Sequence, residues 1–272
     1  MELLLIIISA VLPALVLVGF IYFKDKYRRE PTGQLVKGFA FGALSALASF
    51  LVSTPLGWLG FYPAEATTFG GHVATAFFGA AIPEELAKLF LLWLLLRKNK
   101  YFDEYADGMV YAVCIGMGFA ALENIGYLFS NAEEWVSVGL LRAVIPIPGH
   151  FFFAVTMGYF YSLASFGDPA KRKYHMWMAF LVPMLLHGAF DALLMVTSLG
   201  GGIAAILLFF VGLYIYMAVK SKKRFEKHLA IDDKTRKVDE IIKAELEDAA
   251  DGKRDNPVGD VVYLPESLDK KA

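Results

Sequence analysis

Apolar stretches of about twenty residues recur along most of this chain, and a stretch of that length points to a helix that crosses a membrane. The windows that qualify fall at approximately 3–23, 36–60, 73–97, 107–129, 140–166, 176–198 and 202–220, about seven in all, with no soluble domain between them. Composition points the same way. Hydrophobic residues make up 57% of the chain and charged residues only 19%, against roughly a quarter charged in a soluble domain. The expected fold is all-α, a polytopic transmembrane helix bundle. The first stretch leads with Glu2 and is followed by Lys24, Lys26, Arg28 and Arg29, the reverse of a secretory signal's charge order, so it reads as an uncleaved span. The single cysteine, Cys114, lies in an apolar stretch and reads as a small packing residue.

Charge alternates between the loops. Those after the first, third and fifth windows hold Lys24, Lys26, Arg28 and Arg29, then Arg97, Lys98 and Lys100, then Lys171, Arg172 and Lys173, while 61–72, 130–139 and 199–201 contain neither lysine nor arginine. The positive-inside rule then places the N-terminus outside and the C-terminus in the cytoplasm. Lys220, Lys222, Lys223 and Arg224 after the last window agree. Aromatic residues fall where interfacial belts are expected, with Trp58, Tyr62 and Trp135 at outer edges and Tyr101, Tyr105, Tyr174 and Trp177 at inner ones. Two parts follow: a transmembrane domain over 1–220, and a cytoplasmic part over 221–272 made of an amphipathic helix and a polar, breaker-rich tail after Asp251 that reads as disordered. Nothing in the pattern calls for nucleic acid. A bilayer is the implied surrounding.

Against this apolar background, four windows carry ionisable residues in their interiors: Glu84, Glu85 and Lys88; Glu123; His150; and His187 with Asp191. A charge at the bilayer centre costs at least about 2.5 kcal/mol on insertion scales, so groups retained there are paired, hydrated or used. Counting the helical rise of about 1.5 Å per residue from each inner edge puts these groups about 17–24 Å deep, in one layer at or just outside the midplane. Glu84 and Lys88 are i,i+4 and Glu85 and Lys88 are i,i+3, so one lysine can serve either carboxylate. The two glutamates point about 100° apart on a helix, which predicts different roles. Pro83 permits a local kink before them. His187 and Asp191 are i,i+4, so the carboxylate can orient the imidazole.

His150 follows Pro146, Pro148 and Gly149, where its helix is expected to break or begin. Small residues before Glu123 allow close helix approach, and Asn124 beside it reads, like Asp191, as a supporting group. Arg142 reads as a residue snorkelling at an outer edge, and His72, His175 and His228 as solvated loop or tail histidines. Glu85, Glu123, His150 and His187 are a sufficient ligand set for a divalent metal such as Zn²⁺. They equally suit a metal-free site in which a glutamate activates water and histidines stabilise an oxyanion. A transporter moving protons or cations along the same carboxylates is the alternative from another class.

At these positions the chain resembles the PrsW family of intramembrane proteases, bacterial and archaeal membrane proteins related to the CAAX-prenyl-protease-like superfamily. The resemblance covers roughly residues 35–200. It rests on Glu84-Glu85-Leu86-Ala87-Lys88 as an E-E-x-x-K element, on Phe119-Ala120-Ala121-Leu122-Glu123-Asn124 as an F-x-x-x-E-N element, and on the later His150 and His187. It implies a multi-pass protein of a bacterial or archaeal cell membrane that hydrolyses a peptide bond of a membrane-bound protein, such as an anti-sigma factor cut at its extracytoplasmic side. Glu84, Glu85, Lys88, Glu123, His150 and His187 would carry the reaction.

Overall fold

The computed structural model describes residues 2–25, 28–200 and 203–250. The tail after Asp251 lies outside the described residues. The elements in order are α1 (Glu2–Lys24), α2 (Thr32–Trp58), α3 (Phe69–Ala74), a π-helical segment (Thr75–Ala81), α4 (Ile82–Leu96), α5 (Tyr105–Ser130), α6 (Trp135–Val144), α7 (Pro146–Phe166), α8 (Arg172–Val196) and α9 (Ile203–Ala250). Among the described residues there is no strand, and the all-α expectation holds. Five helical runs are long and apolar enough to cross a membrane: Leu3–Lys24, Thr32–Trp58, Tyr105–Ser130, Ala132–Phe166 and Pro169–Val196.

The expected span at 73–97 is helical throughout but is not one α-helix. It passes from α3 through the π-helical segment into α4, and it carries Glu84, Glu85 and Lys88; neither it nor the expected 202–220 span is among those five. Pro83 explains part of the interruption, since a residue without an N–H is tolerated at the start of a helix but not in its interior. The break expected before His150 is also present. α6 ends at Val144, and α7 begins at Pro146. Residues Met1–Leu229 form one compact unit and Ala230–Ala272 a second, whose described part is helical to Ala250.

α5 is the centre of the first unit. Every residue from Ala106 to Ala121 is buried, and α1, α2 and α7 pack around it. Small residues make that possible, because without a hydrophobic difference between lipid and side chain, membrane helices associate through close backbone packing. At the α2–α5 crossing a methyl added to Gly42 would be driven into the Ile115 carbonyl, and one added to Gly118 into the Phe39 carbonyl. α8 packs on α7 and on the π-helical segment, and α4 packs on α2. The outer surfaces of α1 and α2 present Leu4, Val16, Phe50 and Leu51 without cover, as lipid-facing helices should.

The three histidines expected in loops or the tail all lie in helices: His72 in α3 and His175 in α8 are half-buried, and His228 in α9 departs furthest. His228 is fully buried: its Nδ1 lies 3.0 Å from the Tyr105 carbonyl oxygen and its ring stacks on Tyr159 at 4.4 Å. Burial pushes its pKa down to about 3, so the ring is neutral. The charged sequence around it, with Glu226 and Lys227, suggested solvent, but one face of the helix packs against α5 and α7.

Candidate active site

The layer of ionisable groups is assembled by α4, α5, α6, α7 and α8, each contributing at least one side chain to one polar cluster. Glu85 is fully buried. Its Oε1 accepts from Lys88 Nζ at 2.8 Å and from His187 Nδ1 at 2.9 Å, while its Oε2 has no hydrogen-bond partner among the described residues. Lys88 also reaches Glu84 Oε2 at 3.3 Å and His150 Nδ1 at 3.2 Å, and its ammonium sits 3.8 Å from the centre of the Phe119 ring. The two adjacent glutamates meet different surroundings. Glu85 faces inward and holds Lys88 and His187, whereas Glu84 borders a cavity.

His187 is fixed from three sides. Glu85 holds Nδ1, Nε2 lies 3.3 Å from Asp191 Oδ2 and 3.8 Å from Glu84 Oε2, and the ring stacks on Phe153 at 4.7 Å. His150 meets it edge to face at 5.1 Å. His150 spans the cluster, with Nδ1 on Lys88 and Nε2 on Glu123 Oε2 at 3.1 Å. The same Glu123 oxygen accepts from an Arg142 Nη2 at 2.8 Å.

Arg142 is a correction to the sequence reading. It does not snorkel at an edge; it is buried, stacked over Tyr127 at 3.8 Å, and its Nε donates a short hydrogen bond to Asn124 Oδ1. α6 carries it back into the bundle just before the break at Pro146, where its charge is paired with Glu123. Asn124, fully buried, donates in turn from Nδ2 to the Ala10 carbonyl at 3.1 Å and so ties the arginine's position to α1.

A cavity of about 310 Å³ opens within this cluster, bordered by Glu84, Glu123, Arg142, His150, His187 and Asp191 and closed on its apolar side by Phe153 and Phe190. All eight residues singled out in the sequence belong to this cluster or support it. Glu84, His150 and His187 each offer a ligand atom, and those atoms lie within 4.8 Å of one another. Glu85, expected among the ligands, stands behind His187 and outside this trio, and Glu123 lies beside it.

The chemistry of the donor set fits a divalent metal. One carboxylate and two imidazoles are a ligand trio of catalytic zinc sites. A carboxylate behind the distal ring nitrogen, as Glu85 is behind His187, is the usual support for such a ligand. Charge also fits: among the described residues the carboxylates Glu84, Glu85, Glu123 and Asp191 face two fixed cations, Lys88 and Arg142. A buried surplus of negative charge calls for a cation or protons.

Comparison with known proteins adds to this geometry. A profile of the family described as PrsW family intramembrane metalloprotease matches residues 30–219. A protein named Protease PrsW from Clostridioides difficile is 38% identical over 192 residues, covering 69% of this chain and 78% of its own. Proteins of the same name from Geobacillus kaustophilus and Bacillus subtilis are 32% and 31% identical over 226 and 218 residues, covering 83% and 80% of this chain and 96% and 94% of their own. No solved structure matches.

Proposed function

The chain belongs to the PrsW family of intramembrane metalloproteases, and we propose that it cuts a membrane-anchored protein, such as an anti-sigma factor, through the Glu84–His150–His187 centre. It is a multi-pass membrane peptidase; the substrate, the metal and the bacterial cell membrane as its place are our reading. The observation that carries the assignment of the centre is a polar cavity inside an apolar bundle, walled by the three candidate ligands and by Glu123 and Arg142.

Glu84, His150 and His187 would hold the metal, which when bound polarises the scissile carbonyl and lowers the pKa of water. Glu123 and Asp191 are the cavity carboxylates left outside the ligand trio; Asp191 lies against His187 Nε2, and the base role falls to Glu123. It takes a proton from the attacking water and returns it to the leaving nitrogen as the C–N bond breaks. Arg142 brings fixed positive charge to the cavity wall, where the carbonyl oxygen becomes anionic. Glu85 and Lys88 do not border the cavity; they hold His187 and His150 from behind.

A second reading is favoured by one contact. The Lys88 ammonium can only donate, so at 3.2 Å it makes His150 Nδ1 an acceptor and leaves the proton on Nε2, facing Glu123. An imidazole so placed has no free lone pair for a metal. Glu84 would then activate water directly, without a metal. Both readings share one test: new protein N-termini are mapped in membranes of cells producing the wild type, Glu85→Ala or His187→Ala. The expected result is a set of cleavages made by the wild type alone, with both variants inserted in equal amounts. Equal cleavage by both variants would overturn the assignment.

A further inference from the structure

We propose that the substrate lies, locally unwound, in a groove between α2 and α5 that opens sideways toward lipid and ends at the wall of the catalytic cavity. The proposal rests on the proteolytic reading and says where and in what form the substrate binds. α2 and α5 are in backbone contact where Gly42 meets Ile115 and Gly118 meets Phe39. Beyond that crossing, toward Trp58 and Ser130, a groove of about 930 Å³ separates them, with the π-helical segment as its third side.

The α2 wall is one helical stripe, Ala46, Ser49, Phe50, Ser53 and Thr54, at i, i+3, i+4, i+7 and i+8. Glu123 and Gly126 lie on the facing stripe of α5. Glu84, Glu123, Tyr127 and Ala80 border both this groove and the catalytic cavity. The reactive carboxylates therefore form the partition between a large, mainly apolar groove and a small polar chamber. A peptide in the first can meet water held in the second.

The groove's chemistry selects the conformation of its occupant. An intact helix shields its carbonyls in its own hydrogen bonds, and an unwound segment within a bilayer must find other partners for its N–H and C=O groups. Hydroxyl-bearing residues stand amid its apolar lining, Ser53 and Thr54 on α2 and Thr75 on the π-helical segment, the Thr75 Oγ1 becoming reachable only as the lining gives. Thr75 Oγ1 is buried with no hydrogen-bond partner among the described residues. That combination fits an apolar membrane segment with its backbone locally opened. π-turns within helices recur at functional sites, and this one supplies both Thr75 and Gly79 to the groove.

The test fills the groove without disturbing the core. A Cβ at Gly126 meets nothing within 4 Å, and the same holds for Gly19 on α1, away from the groove. New N-termini are mapped in membranes of cells producing the wild type, Gly126→Trp, Gly19→Trp or Glu85→Ala. The proposal expects Gly19→Trp to reproduce the wild-type set and Gly126→Trp to yield it at least tenfold more weakly. Gly126→Trp cutting the full set at wild-type yield would overturn the groove while leaving proteolysis standing; a wild type no different from Glu85→Ala would remove both. Should Gly126→Trp fail to accumulate, p-benzoylphenylalanine at position 126 in a Glu85→Gln background decides instead. It should crosslink proteins of the wild-type cleavage set near their cut sites, and position 19 should not; crosslinks to none of that set would overturn the proposal.

Discussion

Replacing Lys88 by methionine tests whether the buried charges hold the bundle together or only prepare it for chemistry. Lys88 is 3% exposed and lies 2.8 Å from Glu85, which is fully buried. At an effective dielectric constant of about 20 that pair attracts by about 6 kcal/mol. Desolvating both ions cancels much of this, so the pair as a whole adds little to stability. Removing one partner is different, because the other is left charged and dry, at a cost of about 3–5 kcal/mol. Lys88 serves Glu84 as well, whereas Lys88 left by Glu85→Leu still has Glu84 at 3.3 Å. The expected order of destabilisation is therefore Lys88→Met first, Glu85→Leu second, with the double variant more stable than Lys88→Met alone. Thermal unfolding of the purified proteins in one detergent reads this out, with a loss on the order of 10 °C for Lys88→Met. A Lys88→Met protein that melts with the wild type, or a double variant less stable than both singles, would show that Lys88 does not neutralise Glu85 in the bundle.

Three further outcomes follow. Asn124→Leu removes the acceptor of Arg142 and the tie to the Ala10 carbonyl, so cleavage yield should fall about 10–100-fold with little change in membrane level. Gly42→Val should cost at least about 1–3 kcal/mol in detergent melting, since its side chain meets the Ile115 backbone at the α2–α5 crossing; an unchanged melting point would contradict the packing described. Glu30, buried in the loop between α1 and α2 and accepting from the Tyr111 hydroxyl, is pushed up by burial from 4.5 to about 7. Between those values the folded chain keeps a proton the unfolded chain has released, so stability is full below about pH 4.5, falls as pH rises to about 7 and then levels, by at most about 3 kcal/mol. Melting across that range should lose this slope in Glu30→Gln.

The cluster was legible in the sequence because ionisable residues are costly in apolar helices, and because helical rise converts position into depth. Glu84, Glu85, Lys88, Glu123, His150 and His187 could be placed in one layer before any coordinates. That adjacent glutamates point to different surroundings also followed from helical geometry, but which one faces the cavity did not, because it depends on how α4 is rotated against α8. Arg142 was missed because a charge near a predicted loop looks the same whether its helix stays at the surface or, as α6 does, turns back into the bundle. The π-helical segment left no signal beyond Pro83, since Thr75–Ala81 has the composition of an ordinary apolar helix. His228 was misplaced because its neighbours in sequence are charged, while its neighbours in space are Tyr105 and Tyr159.

The centre is tested most directly by the divalent metal content of the purified full-length protein beside its Glu84→Ala and His187→Ala variants, all folded by the same melting criterion. The Glu84–His150–His187 centre predicts about one metal ion per wild-type chain and a small fraction of that in either variant. A wild type without metal, or variants that hold as much as the wild type, would contradict it.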